Sequence, residues 1–398
     1  MNEETGAQDR LLLRGAHIAL PDEVLTGAAL LIEHGRVARV LTDEAASVRA
    51  EQALVLDGLT LYPGFIDVHI HGAVGVDTLT ASADDLHVVA RFLATEGVTG
   101  WLPTLVPAPD EDYQNAVAAI AELMREQDTR APAAHALGVH YEGPFVNSAQ
   151  CGALRVAYFR TYRAPADVQQ LPTVTHDDAA HMITVAPEIE GGIELVRELK
   201  ARGWLVSIGH TRADLAALDA AATAGARHMT HFFNAMSPFQ HRAPGPVGWG
   251  LMRDDVTCDL IADGVHTDPL ALRLALRCKT HERLLLISDA VAPTGQGDGD
   301  YQIWGERIAV VGGRTQNERG SIAGSVSTMR AGVRMMHTLG VAPHQIAQMA
   351  ALNPARLLGL DTACGSIAAG KRADLTALDD AGRVRLTLVG GRVAFIDL

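Results

Sequence analysis

The sequence predicts an α/β protein: a (β/α)8 TIM-type barrel with a small β-sandwich domain built from both chain ends. Eight apolar runs alternate with helix-period, alanine-rich segments through the middle of the chain, as expected for parallel strands that are buried on both faces. Short strand patterns separated by turn signals occupy the two ends. A chain of 398 residues is long enough for one large barrel and one smaller domain.

The two ends of the chain are each predicted to be rich in β-strands. Residues 11–61 contain short apolar runs, and the segment EHGR between two of them is typical of a hairpin turn. The C-terminal segments GSIAAGKRADLTAL and RVRLTLVGGRVAFI carry a matching pattern. We therefore predict that residues 1–61 and 362–398 form one small β-sandwich domain, and that residues 62–361 form the barrel.

The barrel strands are predicted from eight apolar runs. Segments with helical periodicity, such as DDLHVVARFLATEG and NAVAAIAELMREQ, separate them. The glycine-rich segment TGQGDGDY, residues 294–301, is predicted to be a mobile loop after the eighth strand. The eight runs are residues 65–72, 98–106, 136–145, 181–188, 204–211, 227–235, 256–266 and 283–290.

Composition and charge exclude several classes of function. The net charge of −14 disfavours a nucleic-acid partner. The polar, acidic segment MNEETGAQDR lacks the pattern of a secretory signal, so we expect none, and no apolar run reaches the roughly 20 residues of a membrane span. The cysteines lack a CxxC spacing, which indicates a reducing compartment, and we expect a cytoplasmic protein with no membrane partner. These cysteines are Cys151, Cys258, Cys278 and Cys364.

Polar residues stand at the ends of most predicted barrel strands, where an apolar core would not need them. The C-terminal ends of barrel strands meet at one mouth, which is where active sites of such barrels lie. His69 and His71 are two residues apart on one strand and therefore share a face. The full set of strand-end residues is His69, His71, Glu142, His210, His231, His266 and Asp289.

Each of these residues alone has a simpler interpretation. A single histidine near a strand end is usually a hydrogen-bonded core or rim residue, Glu142 suits a loop, and Asp289 suits a helix N-cap. Together they predict a site for a divalent metal, zinc or iron, since so much buried charge is costly without one. Such a metal polarises a carbonyl and acidifies water, and Asp289 is placed to transfer protons. The predicted chemistry is amide or ester hydrolysis, or a deamination.

The pattern of HxH on strand one, single histidines on strands five and six and aspartate on strand eight resembles the amidohydrolase superfamily. One branch of that superfamily bridges two metals with a carboxylated lysine on strand four. Strand four here is HMITVAPE, and none of the three lysines, Lys200, Lys279 and Lys371, stands at a strand end. The resemblance therefore favours the branch in which a glutamate on strand three, here Glu142, is a ligand.

Longer motifs resemble the N-acetylglucosamine-6-phosphate deacetylase family from about residue 60 to the C-terminus. They include HYEGPFVN, SIGHT, HMTHFFNAMSPFQHRAPG, IADGVHTDP, ISDAVAPTGQGDGDY, IAGSVSTM and NPARLLGL. The resemblance implies metal ligands at Glu142, His210 and His231 and a catalytic acid/base at Asp289. His69 and His71 match a second metal position that only some members retain. One or two divalent metals per subunit are expected, with zinc preferred over iron.

The resemblance also implies a substrate site and a partner subunit. The family hydrolyses the acetamide of an amino-sugar 6-phosphate to the amine and acetate. Members are dimers in which the arginine matching Arg242 reaches the neighbouring subunit's phosphate, and His241 beside it is expected to assist. The alternative is that QHRAPG is only a solvated loop. Substrate contacts are expected at Ala153, Leu154, Asn234, Ala235, Arg242, His266, Ile322, Ala323 and Gly324.

One departure from the family pattern leaves the substrate open. Leu154 stands where the family carries a histidine that touches the sugar. N-acetylgalactosamine 6-phosphate or another acetamidosugar is therefore an alternative to N-acetylglucosamine 6-phosphate. A deaminase, a hydrolase of unphosphorylated amidosugars and a catalytically silent sugar-phosphate sensor are further alternatives. Cys151 in the same loop is either a redox-sensitive thiol or an ordinary loop cysteine.

Overall fold

The computed structural model of the protein describes residues 10–42, 48 and 50–398. Residues 1–9, 43–47 and 49 of the predicted sandwich domain lie outside this part, and so does nearly all of the N-terminal segment that argues against a secretory signal. Among the described helices, none has both the length and the apolar character needed to cross a bilayer.

Eight parallel strands form the barrel, as predicted. Each strand pairs with the next along the chain, and a parallel bridge between Ile70 and Ala290 joins the end of the eighth strand to the first. The His71 amide donates to the Ala290 carbonyl across this seam at 2.7 Å. The strands are Phe65–Ile70, Val98–Leu105, Gly138–Glu142, Ala180–Val185, Leu205–Ile208, His228–Met229, Thr257–Ile261 and Leu284–Ile287. A short strand, His135–Ala136, also pairs with the second.

The helices surround the barrel and bury one face against it. In the helix Leu215–Ala224, the Asp214 side chain caps the N-terminus, Gly225 ends the helix in the left-handed region, and Leu218 faces the core. The α-helices are Ala83–Thr95, Asp110–Glu126, Pro165–Gln169, Gly192–Ala201, Leu215–Ala224, Gly245–Met252, Pro269–Lys279, Met329–Thr338, Pro343–Ala347 and Asn353–Leu357. Single turns of other helix types are Ser148–Gln150, Val156–Tyr158, His281–Arg283 and Gln348–Leu352.

Two further sheets combine strands from both ends of the chain. Leu13 and Leu30 of one sheet and Leu61 and Leu386 of the other belong to a single buried cluster, so the sheets pack face to face. This is the predicted β-sandwich, whereas the domain boundaries at 61/62 and 361/362 stay predictions. One sheet contains Arg10–Arg14, Ala29–Glu33, Arg36–Leu41 and Gln52–Val55; the other contains His17–Ala19, Val24–Leu25, Thr60–Pro63, Leu375–Leu378, Val384–Val389 and Arg392–Ile396.

A small antiparallel sheet follows the eighth barrel strand. Its strands are Gly299–Ile303, Glu306–Val311 and Arg314–Asn317. The prediction of a loop over residues 294–301 is therefore wrong for its last three residues, because cross-strand pairing with residues 308–310 makes them a strand. A two-stranded pair, Gly72–Ala73 with Val76–Asp77, lies directly after the first barrel strand.

Candidate active site at the barrel mouth

Three of the predicted site residues stand at turns just beyond their strands. His210, His231 and Asp289 have φ values of 46°, 33° and 51°, in the left-handed region that residues other than glycine seldom adopt. Such backbone strain is held by surrounding contacts and is concentrated at functional sites. The chain turns sharply at each of these residues, and their side chains point to a common centre.

The first group of donor atoms is formed by Glu142, His210 and His231. Glu142 Oε1 lies 2.9 Å from the Nε2 atom of each histidine, and the two Nε2 atoms are 3.1 Å apart. His210 Nδ1 lies 2.7 Å from the Gln150 carbonyl, which only accepts, so Nδ1 carries a proton. With a proton on Nδ1, Nε2 is the His210 nitrogen that remains to bind a metal, as in metal-binding histidines.

The second group of donor atoms, His69, His71 and Asp289, adjoins the first. The Nε2 atoms of His69 and His71 are 3.1 Å apart, and they lie 3.5 Å and 3.3 Å from Asp289 Oδ1. The Glu142 carboxylate stands between the two groups, because Oε2 lies 3.3 Å from His71 Nε2. His71 Nδ1 contacts the Thr104 carbonyl at 3.2 Å. Both groups meet the geometric requirement for three ligands around one ion.

The electrostatics of this buried site favour positive charge beside the two carboxylates. Burial alone would raise the pKa of Glu142, but His69, His210 and His231 hold it well below its usual range. Burial lowers the pKa of His71, yet the carboxylates of Asp289 and Glu142 raise it to about 10. The pKa of His231 is likewise lowered by burial but raised by neighbouring carboxylates, to about 9. Protons on His71 and His231 balance the carboxylates, and a divalent cation would replace them. The donor set therefore fits a divalent metal.

A buried polar layer beneath the donors holds them in place. Asp259 Oδ1 accepts a hydrogen bond from the His231 amide, while Oδ2 lies 2.9 Å from His228 Nε2. Asp67 ties the first strand to the eighth by accepting a 2.5 Å hydrogen bond from the Ser288 hydroxyl. These residues were not singled out from the sequence, because isolated polar residues in strands reveal their partners only after folding. His140, packed edge-on against His69 at 4.7 Å, was missed for the same reason.

A cavity of about 310 Å³ opens above the donors and contains most of the predicted substrate contacts. Among the described residues, Asn234 Nδ2 and His266 Nε2 are buried there without a hydrogen-bond partner, so both are free to bind a polar ligand. His266 is oriented by Asp263, whose Oδ2 lies 2.7 Å from Nδ1. The predicted contacts that line the cavity are Ala153, Leu154, Asn234, Ala235, His266, Ile322 and Gly324.

Three predicted substrate contacts do not line this cavity. Ala323 is buried in the small cluster beneath the loop, whereas its neighbours Ile322 and Gly324 face the cavity. His241 and Arg242 are exposed and lie outside the lining. Within a single chain, therefore, the structure does not bring Arg242 to the donor atoms.

The structure adds three lining residues that lie outside the predicted set, Gly152, Ser321 and Trp304, and Trp304 is the one that contacts a donor residue. Trp304, at the tip of the hairpin after strand eight, packs edge-on against His71 with ring centroids 5.3 Å apart. It lines the cavity together with Leu154, whose side chain is buried. In the sequence, Trp304 is marked only as an aromatic residue before a glycine in a polar segment, and this pattern does not indicate an active-site residue.

Comparison with known proteins agrees with this geometry. Residues 60–394 match the amidohydrolase family. The chain is 35% identical to N-acetylglucosamine-6-phosphate deacetylase of Bacillus subtilis, with 98% of each chain covered. It is 38% identical to N-acetylgalactosamine-6-phosphate deacetylase of Escherichia coli O157:H7, with 85% of this chain and 88% of that protein covered.

A solved structure gives the same result for the fold. The crystal structure of N-acetyl-D-glucosamine-6-phosphate deacetylase from Mycobacterium smegmatis superposes with a TM-score of 0.88 at 32% identity, covering 97% of this chain and 100% of that one. The chain therefore belongs to the amidohydrolase family, on the branch that contains the N-acetylglucosamine-6-phosphate deacetylases.

Proposed function

We propose that the protein hydrolyses the acetamide of N-acetylglucosamine 6-phosphate, with a divalent metal, to glucosamine 6-phosphate and acetate. The observation that carries the proposal is the position of Asp289 Oδ1 within 3.5 Å of the histidine donors at the barrel mouth. A carboxylate beside a metal-binding group of histidines is what amide hydrolysis requires, and relatives over nearly the full length bear this activity in their names.

Glu142, His210 and His231 would hold the metal, and His69 and His71 would hold a second one. When bound, the divalent ion supplies positive charge that polarises the amide carbonyl and makes water more acidic. Zinc is our first choice, because a group of histidine and carboxylate ligands suits it, and iron is our second.

Asp289 transfers the protons in this proposal. Its carboxylate accepts a proton as water adds to the acyl carbon, and then donates a proton to the nitrogen as the carbon–nitrogen bond breaks. One water is consumed, and the products are acetate and the free amine. Asn234 and His266 hold the sugar, since each offers an unpaired polar atom to the cavity.

The phosphate contact is proposed to come from a second subunit. Arg242 is exposed and does not line the cavity of its own chain, which supports a homodimer in which it reaches the neighbouring site. A guanidinium offers the planar pair of donors that a phosphate accepts. His241 would assist, and Ala323 would contribute through the loop that it anchors. A cytoplasmic location fits a phosphorylated substrate, and residues 1–61 with 362–398 would act as a supporting domain.

N-acetylgalactosamine 6-phosphate is a second candidate substrate. Leu154 presents a buried apolar side chain to the cavity, and one relative is named for that epimer. An epimer that needs no hydrogen bond at this point would bind without leaving a polar group unpaired.

Acetate release across a substrate panel tests the proposal. The panel contains both 6-phosphorylated epimers and both free acetamidosugars, with metal content measured on the same sample. We expect acetate only from phosphorylated substrates and fastest from the glucosamine epimer. Faster release from the galactosamine epimer would make N-acetylgalactosamine 6-phosphate the preferred substrate. Absence of acetate from all four sugars, in metal-loaded protein, would contradict a deacetylase.

A further inference from the structure

Trp304 occupies an unusual place at the tip of a hairpin. It lies between the strands Gly299–Ile303 and Glu306–Val311, and both turn residues, Trp304 and Gly305, have positive φ values of 54° and 79°. This two-residue turn favours asparagine or aspartate followed by glycine, and a bulky residue in the left-handed region is uncommon. The indole is therefore held in place by contacts beyond the turn, and these contacts lie at the active site.

The indole separates two cavities. On one side is the cavity of about 310 Å³ that contains the donor groups. On the other is a cavity of about 370 Å³, whose lining combines apolar residues, among them Leu79, Ala292 and Ile303, with polar ones, among them Asp77, Asp112 and Arg155. Trp304 belongs to the lining of both. A smaller side chain at this position would therefore join the two spaces.

The wall that Trp304 provides is apolar and lies close to the reacting centre. Trp304 and Ala153 pack on one small hydrophobic cluster that includes Ala292 and Ile303. The indole packs edge-on against the His71 ring. The Nε2 atom of that same ring lies 3.3 Å from Asp289 Oδ1. The unpaired polar atoms of Asn234 and His266 suit the polar sugar. The apolar wall suits the acyl group, which is the apolar part of the substrate.

We propose that Trp304 limits the acyl group to about the size of acetyl, by closing the end of the acyl pocket against the second cavity. The inference rests on the proposed amide hydrolysis and extends it by naming the acyl-chain length that the site accepts. Replacing the indole removes the wall, and the added methylenes of propionyl or butyryl amides then extend toward the second cavity. The bond that breaks and the water consumed are unchanged.

The test compares N-acetyl-, N-propionyl- and N-butyrylglucosamine 6-phosphate as substrates of the metal-loaded protein. We expect wild type to lose roughly tenfold or more in kcat/KM for each added methylene, in line with size selection by closed apolar pockets. Trp304→Ala should reduce the acetyl-to-butyryl ratio by at least about tenfold. Trp304→Leu provides a second variant that fills the turn with an apolar residue, and it should shift the ratio in the same direction.

Two matched controls separate the wall from the hairpin. Trp304→Phe keeps an aromatic ring and should retain most of the preference for acetyl. Val311→Ala removes an exposed side chain on the same hairpin and should leave the ratio unchanged. A preference for acetyl that is the same in wild type, Trp304→Ala and Trp304→Leu would overturn the inference while leaving the proposed function intact.

Binding gives a readout that does not need turnover. In an Asp289→Asn background, Trp304→Ala should strengthen calorimetric binding of N-butyrylglucosamine 6-phosphate relative to the acetyl compound, and equal effects on both would contradict the inference. If wild type hydrolyses none of the three amides, the proposed function fails and the inference fails with it.

Discussion

Asp289 Oδ1 lies 3.3 Å from His71 Nε2, so the residue proposed to transfer protons touches the second donor group directly. Glu142 Oε2 lies at the same distance from that nitrogen. The two carboxylates thus share one histidine, which couples the proton-transfer residue to the metal-binding residues.

Asp289→Asn should abolish proton transfer while keeping the shape of the site. We expect kcat to fall by roughly 10²–10⁴-fold, the usual contribution of a general acid/base, with sugar affinity nearly unchanged. Steady-state kinetics and calorimetric binding of the substrate measure the two quantities. Asp300→Asn, in an exposed ion pair with Arg307, is the matched control and should leave kcat unaffected. An unchanged kcat in Asp289→Asn would remove Asp289 from this role.

Glu142→Gln and His71→Asn should have different effects on metal content. Glu142 contacts both histidines of the first group, so its loss should leave less than one tightly held ion per chain after gel filtration. His71→Asn should lower a stoichiometry of two toward one and retain part of the activity. Elemental analysis of the purified variants provides the measurement. Equal metal content in both variants would contradict this division between the two groups.

Arg242→Ala should raise KM for a phosphorylated sugar by roughly tenfold or more, because a charge-assisted pair with phosphate is lost. Arg277→Ala, another exposed arginine, is the control and should not change KM. The Arg242→Ala and Asp289→Asn variants should then be mixed under conditions that exchange subunits. About half of the dimers become heterodimers, and each heterodimer has one intact site of two, so the mixture should recover up to about one quarter of wild-type activity. No recovery in verified heterodimers would place Arg242 in its own subunit's site or outside the reaction.

His135 should make stability depend on pH. Burial, and then the charge of Arg372, lower the pKa of His135 to about 4, below the 6.5 of an exposed histidine. Because the folded-state pKa is depressed, the neutral form stabilises the fold fully above pH 6.5, and this contribution is lost as the pH falls toward 4. The expected loss is roughly 2–3 kcal/mol.

The measurement for His135 is the urea midpoint at several pH values, compared with His135→Gln. Gln retains an acceptor for Arg372, whose Nη2 lies 2.9 Å from Nδ1, but does not titrate. Wild type should lose more stability than the variant between pH 6.5 and 4. Parallel curves for the two proteins would show that His135 does not contribute.

The barrel could be predicted because its strands are buried on both faces and therefore consist of apolar runs that the sequence displays. The lengths of those runs were less informative. Residues 227–235 were predicted as one strand, yet only His228–Met229 forms it, because the chain turns at His231, where φ is positive. An apolar pair such as Phe232 and Phe233 fits a buried turn as well as a strand.

The donor residues at the strand ends could be predicted because barrel topology brings those ends together. Trp304 and Asp259 could not, for different reasons. Trp304 reaches the site through a hairpin whose first strand, Gly299–Ile303, is mostly polar and begins inside a segment predicted to be a loop. Asp259 lies inside a strand, and its role depends on a contact with a residue 28 positions away. Neither of these two long-range contacts can be predicted from the local sequence pattern.

Metal-dependent acetate release from N-acetylglucosamine 6-phosphate is the most direct test of the central claim. Acetate and free amine should be measured together in metal-loaded wild type, in chelator-treated wild type and in Glu142→Gln. We predict equal amounts of acetate and amine from the loaded protein, almost none after chelation, restoration on adding zinc back, and no restoration in Glu142→Gln. Acetate release that survives complete removal of metal, or no release from the loaded protein, would contradict the account.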